Sequence, residues 1–286
     1  MAARRHDGAA PTDAAVSPSA DCDLGGRGVL VTRPAAQADG LCGRIEAIGG
    51  RAVRFPTIEI LPPADPAAAT ARLAEDWDIV IFISRNAVEG ALSLPGDALR
   101  RCPARLAAVG RATAAAMQAA GMAPSLVPAT GFDSEALLAV PALHDVAGSR
   151  VLIVRGEGGR ELLAATLAER GAEVAYAEVY RRAIPAPASA SQLSAWREAL
   201  GFITATSDEV LDNLLRLVPA AAHPWLKGLP LAVLSARNAA MARELGFARV
   251  AVAPQPGDDG MLAALCSLVR QHAALEDDAA GGMPAP

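Results

Sequence analysis

The chain has 286 residues, 52% of them apolar, 20% charged and only 3% aromatic, with a formal net charge of −5 and a pI near 5.4. That length holds one large domain or two of ordinary size. The composition is that of a globular protein with a core of Ala, Val, Leu and Ile, and the mild acidity argues against a basic nucleic-acid-binding face. A local arginine cluster for an anionic ligand remains compatible with it. Lys227 is the only lysine, so nearly all positive charge is arginine.

Cys22, Cys42, Cys102 and Cys266 are far apart and form no C-x-x-C, so the spacing predicts neither a disulfide framework nor a zinc site. A reduced, cytoplasmic setting is the expectation. The apolar runs are too short to span a bilayer, and Arg4-Arg5 is followed by no apolar region of a targeting peptide. Residues 1–24 and 276–286, rich in Ala, Pro, Asp and Ser, read as disordered tails.

Between the tails, strands and helices alternate. VLVTR (29–33) reads as a strand, with Pro34 at a helix start, where a missing amide costs nothing. The helix reaches Ile48, stops at Gly49-Gly50, and RAVRFPTIEI (51–60) reads as the next strand. Pro62, Pro63 and Pro66 punctuate a linker. DIVIFIS (78–84) is a continuous apolar run, the mark of a strand covered on both faces. RLAAVG (105–110) is another strand, followed by a helix to Gly121, and FDSEALLAV (132–140) starts a helix capped by Asp133 or Ser134.

The second half repeats the first. VLVTR at 29 matches VLIVR at 151, and IVIFISRNAV at 79 lines up with LGFITATSDEV at 200–210. LAAVGRATAAAMQAAG (106–121) matches LAVLSARNAAMARELG (231–246), and FDSEALLAV matches GDDGMLAAL (257–265). A sustained two-fold repeat of βα units predicts an α/β protein of two similar domains, each a parallel sheet flanked by helices, with a ligand cleft between them.

The stretch from Val151 to Arg182 is the most distinctive. Val151–Val154 is a strand, and Gly156, Gly158 and Gly159 form a turn that lets backbone approach a ligand. Leu162, Leu163 and Leu167 recur at helical spacing up to Gly171. Val174, Tyr176, Glu178 and Tyr180 then alternate with their neighbours, which predicts both of the chain's tyrosines on one strand face. Arg-Gly-x-Gly-Gly-Arg, a helix, Gly-Ala and a Tyr before a basic residue resembles the uroporphyrinogen-III synthase family. VLVTRP, FISRNAVEGAL, AVGRATA, FDSEALLA and SARNAAMARELG extend the resemblance over most of Gly28–Leu275. It implies that the chain exchanges between lobes: 25–57 plus 184–275 as one domain and 58–183 as the other, joined by two extended connectors near Phe55–Leu61 and Val179–Pro185.

Ligands of open parallel sheets bind beyond the carboxyl ends of the strands, where helix amide groups are free to meet carboxylates. Six turns fall there: Thr32-Arg33, Ser84-Arg85-Asn86, Gly110-Arg111, Arg155 with Gly156, Gly158 and Gly159 (and on to Arg160), Thr206-Ser207, and Ser235 with Arg237. Helix capping alone also accounts for Ser, Thr and Asn in such places. Glu161 stands where a dinucleotide fingerprint needs Gly or Ala, which argues against a nicotinamide or flavin cofactor. His6, His144, His223 and His272 are scattered and suggest no metal site. No cofactor is expected.

The resemblance places the family's tyrosine at Tyr180, where a phenol, protonated at neutral pH, can donate a proton; Tyr176 reads as a strand-packing aromatic. The resemblance implies cyclisation of hydroxymethylbilane to uroporphyrinogen III, with inversion of ring D and loss of water, by a monomer in transient contact with the enzyme that makes its substrate. The competing expectation from the residues is a non-catalytic two-lobed binder of a small anionic metabolite.

Overall fold

The computed structural model describes residues 22–96, 103–131, 133–159 and 161–281, so Cys102, Phe132, Arg160 and residues 1–21 of the amino-terminal tail lie outside the described residues. In chain order the elements are β1 (Gly28–Val31), α1 (Asp39–Ala47), β2 (Arg51–Arg54), β3 (Glu59–Leu61), α2 (Pro66–Leu73), β4 (Ile79–Phe82), α3 (Arg85–Ser93), β5 (Arg105–Ala108), α4 (Arg111–Ala119) and α5 (Ser134–Leu138). They continue with β6 (Arg150–Gly156), α6 (Leu162–Glu169), β7 (Glu173–Ala183), α7 (Ala190–Ala199), β8 (Leu200–Ala205), α8 (Asp208–Leu217), α9 (His223–Gly228), β9 (Leu231–Val233), α10 (Ala236–Glu244), β10 (Val250–Val252) and α11 (Asp258–Gly281).

The chain forms two compact units, one built from residues up to Ile58 and from Pro185 onward, the other from Glu59–Ile184. The first holds a parallel sheet of order β10-β9-β8-β1-β2. The second holds β3-β7-β6-β4-β5, parallel except for β3, which runs antiparallel along the end of β7. Setting β3 and β10 aside, the sheets correspond strand for strand, with β1 in the place of β6, β8 of β4, β9 of β5 and β2 of β7. The two-sheet α/β architecture expected from the repeat is therefore present.

Local sequence explains the elements. β1 and β4 are buried at every residue, as continuous apolar runs in helix-covered parallel strands should be. In the second unit, alternate residues of β4 and β6 supply two separate cores. Val80, Phe82, Leu152 and Val154 face one side, and Ile79, Ile81, Val151 and Ile153 the other. Helix starts are fixed by side-chain caps: Asp65, Ser84, Asp133, Ser189, Ser207 and Ser235 each accept from an amide of the first turn. Each such cap contributes about 1 kcal/mol.

Several expectations are corrected. RAVRFPTIEI is two strands in different sheets. The Phe55 and Thr57 amides still donate to the Val31 and Thr32 carbonyls on either side of Pro56, and the chain passes from one unit to the other after Ile58. The amino-terminal tail does not extend to residue 24. Leu24 is fully buried among Met261, Leu262 and Leu265, and its amide donates to the Ile48 carbonyl at 2.9 Å. At the other end, α11 continues to Gly281, past the expected start of a tail at 276.

The absence of a disulfide is also overturned: Cys22 and Cys266 are joined, with Cα atoms 5.6 Å apart. Sequence spacing cannot reveal a pair that the packing of Leu24 on α11 brings together. The two tyrosines, finally, do not share a strand face. Arg155 is opposite Glu178 but Gly156 is opposite Tyr180, so β7 carries one extra residue. That bulge turns Tyr180 into the core of Phe82 and Val154, while Tyr176 packs on the opposite core. Among the described residues no helix is long and apolar enough to cross a membrane.

Candidate active site

The second unit contains a cavity of about 350 Å³ at the carboxyl ends of β4, β5 and β6. Ile83, Val109, Ile153 and Leu163 form its apolar wall, and Arg155, Tyr176, Tyr180 and Arg182 its polar side. The turn after β6 makes the rim. Gly158 and Gly159 have φ of +70° and +113°, which residues with a Cβ rarely adopt. Gly156 is needed for a different reason: a Cβ there would stand 2.6 Å from the Tyr180 ring. Glycine and bulge together seat Tyr180 against β6. It is 2% exposed, and its hydroxyl lies 3.3 Å from Ser84 Oγ.

Arg155 is the electrostatic centre. It is only 3% exposed, and its guanidinium lies over the Tyr176 ring at 4.4 Å. Nε donates to the Gly156 carbonyl at 3.2 Å and stands 3.8 Å from Glu178; Nη1 donates to Glu161 at 3.2 Å. The Tyr176 hydroxyl donates to the other Glu161 oxygen. Burial, and then Glu161 as acceptor and as a charge, push the Tyr176 phenol up to about 12. The same hydroxyl bond, aided by Arg155 against the opposing effect of burial, holds the Glu161 carboxyl below its usual range. Glu178 also accepts from the Gly158 amide at 3.3 Å, tying the rim to β7.

Of the residues proposed from sequence, Arg155, Gly156, Gly158, Gly159 and Tyr180 meet at this cavity, and Ser84 reaches it through Tyr180. Gly110 and Ser84 begin helices next to cavity-lining Val109 and Ile83. Arg85 is exposed and paired with Glu89 at 2.6 Å; Asn86 is half-buried and Arg111 exposed, both on the first turns of their helices.

Thr32, Arg33, Thr206, Ser207, Ser235 and Arg237 form a separate set at the carboxyl edge of the first unit's sheet. Thr32 is fully buried, with its hydroxyl donating to the Thr204 carbonyl at 2.5 Å, and Arg33 pairs with Asp258 at 2.5 Å. Ser207 and Ser235 cap α8 and α10, Thr206 is half-buried, and Arg237 stands 3.4 Å from Asp208.

Sequence reasoning missed Glu161 and Glu178, and took Tyr176 for packing. The register held the signal: Ile153 is opposite Tyr176 and Arg155 opposite Glu178, which puts a ring and a carboxylate beside the arginine. Among the described residues no group of three His, Cys, Asp or Glu is arranged to hold a metal.

Fold and site define a two-unit α/β protein whose second unit carries a buried, ring-stacked arginine and a tyrosine in one cavity. Residues 39–263 match the family model described as uroporphyrinogen-III synthase HemD. The uroporphyrinogen-III synthase of Salmonella typhimurium is 37% identical over 243 residues, covering 83% of this chain and 99% of that protein. That of Escherichia coli is 36% identical over 244 residues, with the same coverage. The chain belongs to the uroporphyrinogen-III synthase family. Among solved structures, a mutant uroporphyrinogen III synthase of Thermus thermophilus aligns with a TM-score of 0.57 at 19% identity, over 86% of this chain and 99% of that one. The Helicobacter pylori enzyme aligns at 0.55 and 16%, over 85% and 99%. At these identities the structural likeness speaks for the fold.

Proposed function

We propose that this chain is a uroporphyrinogen-III synthase: a lyase that cyclises hydroxymethylbilane to uroporphyrinogen III with inversion of ring D and loss of water. The observation that carries the reading is Tyr180, a phenol at a cavity it shares with a buried arginine, in a chain of this family. A protonated phenol donates to the terminal hydroxyl as its carbon–oxygen bond breaks, and water leaves. The resulting azafulvene closes through a spiro intermediate and rearranges. General-acid help of this kind contributes roughly 10²–10⁴ in rate. At about 350 Å³ the cavity is at the small end of ligand pockets, which run from roughly 300 to 1,000 Å³. It suits one pyrrole ring with its acidic arms, held so that one closure outruns the spontaneous one. The same reading makes the chain a cytoplasmic monomer that meets the enzyme making its substrate only transiently.

The test is product identity. Freshly made hydroxymethylbilane is incubated with the protein and the oxidised isomers are separated. Type III should dominate; type I alone, the spontaneous product, would make the chain a binder of anionic metabolites. Dialysis against a strong chelator should leave type III formation unchanged.

A further inference from the structure

We propose that the Arg155 guanidinium is the receptor for one substrate carboxylate, and that Glu161 occupies it in the free protein and leaves when that carboxylate arrives. This rests on the reading that the substrate is a polycarboxylated tetrapyrrole.

The receptor is built into rigid structure. Arg155 lies within the buried run Val151–Gly156 of β6, is 3% exposed, and faces the cavity. Tyr176 stacks under its plane, which fixes the direction of the fork while the group bound to its edge changes. A planar guanidinium matches a carboxylate with two parallel bonds, an arrangement stronger than a point-charge pair. Gly159, whose φ of +113° favours glycine, brings the rim backbone alongside Nη2.

The occupant is built to move. The Glu161 side chain is 66% exposed and immediately precedes α6, beyond a turn with two positive-φ glycines. Arg155 already stands against two carboxylates, Glu161 and Glu178. A third would outnumber the positive charge even with Arg182 lining the same cavity, so a substrate carboxylate must replace one rather than join them. Glu178 lies on β7 and is held by a backbone amide, that of Gly158; Glu161 is bonded to the side chains of Arg155 and Tyr176 and is the more exposed, so it is the one to leave. The Tyr176 hydroxyl, aimed at the place Glu161 occupies, remains as a donor to the newcomer.

The repeat supplies an internal contrast. Asp258, at the start of α11, takes Arg33 at 2.5 Å. Its counterpart Asp133 turns instead to cap α5, accepting from Ala136 at 2.8 Å, and lines the cavity. In the second unit the arginine is thus left to an exposed carboxylate on its own turn.

Glu161→Gln keeps the shape and removes the charge. The probe is uroporphyrin III, a stable octacarboxylate, titrated by fluorescence, with hydroxymethylbilane KM and kcat measured alongside. Removing a competing occupant should tighten uroporphyrin III about threefold or more and lower KM, with kcat little changed. Arg155→Met should weaken binding about tenfold or more, as loss of a charged hydrogen-bond partner implies. In the Arg155→Met background Glu161→Gln should give no tightening. Unchanged or weaker binding in Glu161→Gln overturns the proposal, because a structural ion pair gives that result. Tightening that persists without Arg155 overturns it too, since it would reflect only a lower negative charge. If Arg155→Met does not fold, the sign of the Glu161→Gln effect decides. Type III formation is scored separately, so normal product with no tightening removes the exchange alone, and Arg155-dependent tightening without type III removes the enzyme alone.

Discussion

Arg33 and Arg155 hold the same place in the two halves of the repeat, at the ends of VLVTR and VLIVR, yet one is closed off and the other faces a cavity. After Arg33 comes Pro34, then a tight 3₁₀ turn at Ala35–Gln37. The arginine reaches the Gln37 carbonyl at 3.3 Å and Asp258 at 2.5 Å, and its Nε is buried with no hydrogen-bond partner among the described residues. Gly40 makes room for this, because a Cβ there would stand 2.6 Å from the Asp258 carboxylate. After Arg155 comes glycine, a bulge opposite, and a rim of positive-φ residues. The same strand and the same arginine become a structural tie or an anion receptor according to the next five residues and the aim of one distant aspartate.

The contrast can be broken at its most active point first. Both tyrosines of the chain lie in the second unit, and Tyr180→Phe removes only the hydroxyl beside Ser84. The rate of type III formation should fall about 10²–10⁴-fold, while stability changes by only about 1 kcal/mol for one hydrogen bond. A rate within twofold of the parent would take Tyr180 out of the chemistry.

Next comes the closed half. Breaking a fully buried ion pair costs about 3–5 kcal/mol, and with Asp258 26% exposed we expect about 2–3 kcal/mol for Asp258→Ala. A denaturant titration measures it. Replacing both partners by apolar residues should recover most of the loss, and if the double variant is no better than the single one, Arg33 is not the reason. Gly156→Ala tests the open half by overpacking. The added methyl meets the Tyr180 ring, costing about 1–3 kcal/mol, and lowers activity by moving the phenol. A fully active, fully stable Gly156→Ala would mean that the ring has room to shift.

The smallest effect is spectroscopic. The Tyr176 phenol should ionise near 12, seen as a step in phenolate absorbance that disappears in Tyr176→Phe. Because the folded value lies above the unfolded value of about 10, Tyr176 contributes stability in full below pH 10 and loses it as pH rises through 12. Glu161→Gln should lower the step only partway, since burial is the larger cause.

Strands and helices were legible because apolar runs and Ser or Asp caps are local signals, and the repeat gave the architecture. The glycine turn is legible in the residues themselves, whereas the role of Tyr180 comes through family resemblance. What period-two reading could not supply was the extra residue of β7: one bulge moved Tyr180 to the opposite face from Tyr176 and invalidated a correct alternation. Glu161 looked like a defect in a dinucleotide turn, and only the folded chain shows it bound to Arg155. RAVRFPTIEI reads as one strand from its residues, and only the family resemblance implied that the chain changes unit within it.

The Cys22–Cys266 bond has a topological consequence. With a sequence separation of 244, it closes nearly the whole described chain into a single covalent ring. A machine that unravels proteins by threading them from one end would meet a hairpin two strands wide at this bond, not a single thread. Reduction converts the ring to a line, and the burial of Leu24 beside α11 is then the latch that keeps the amino end in place.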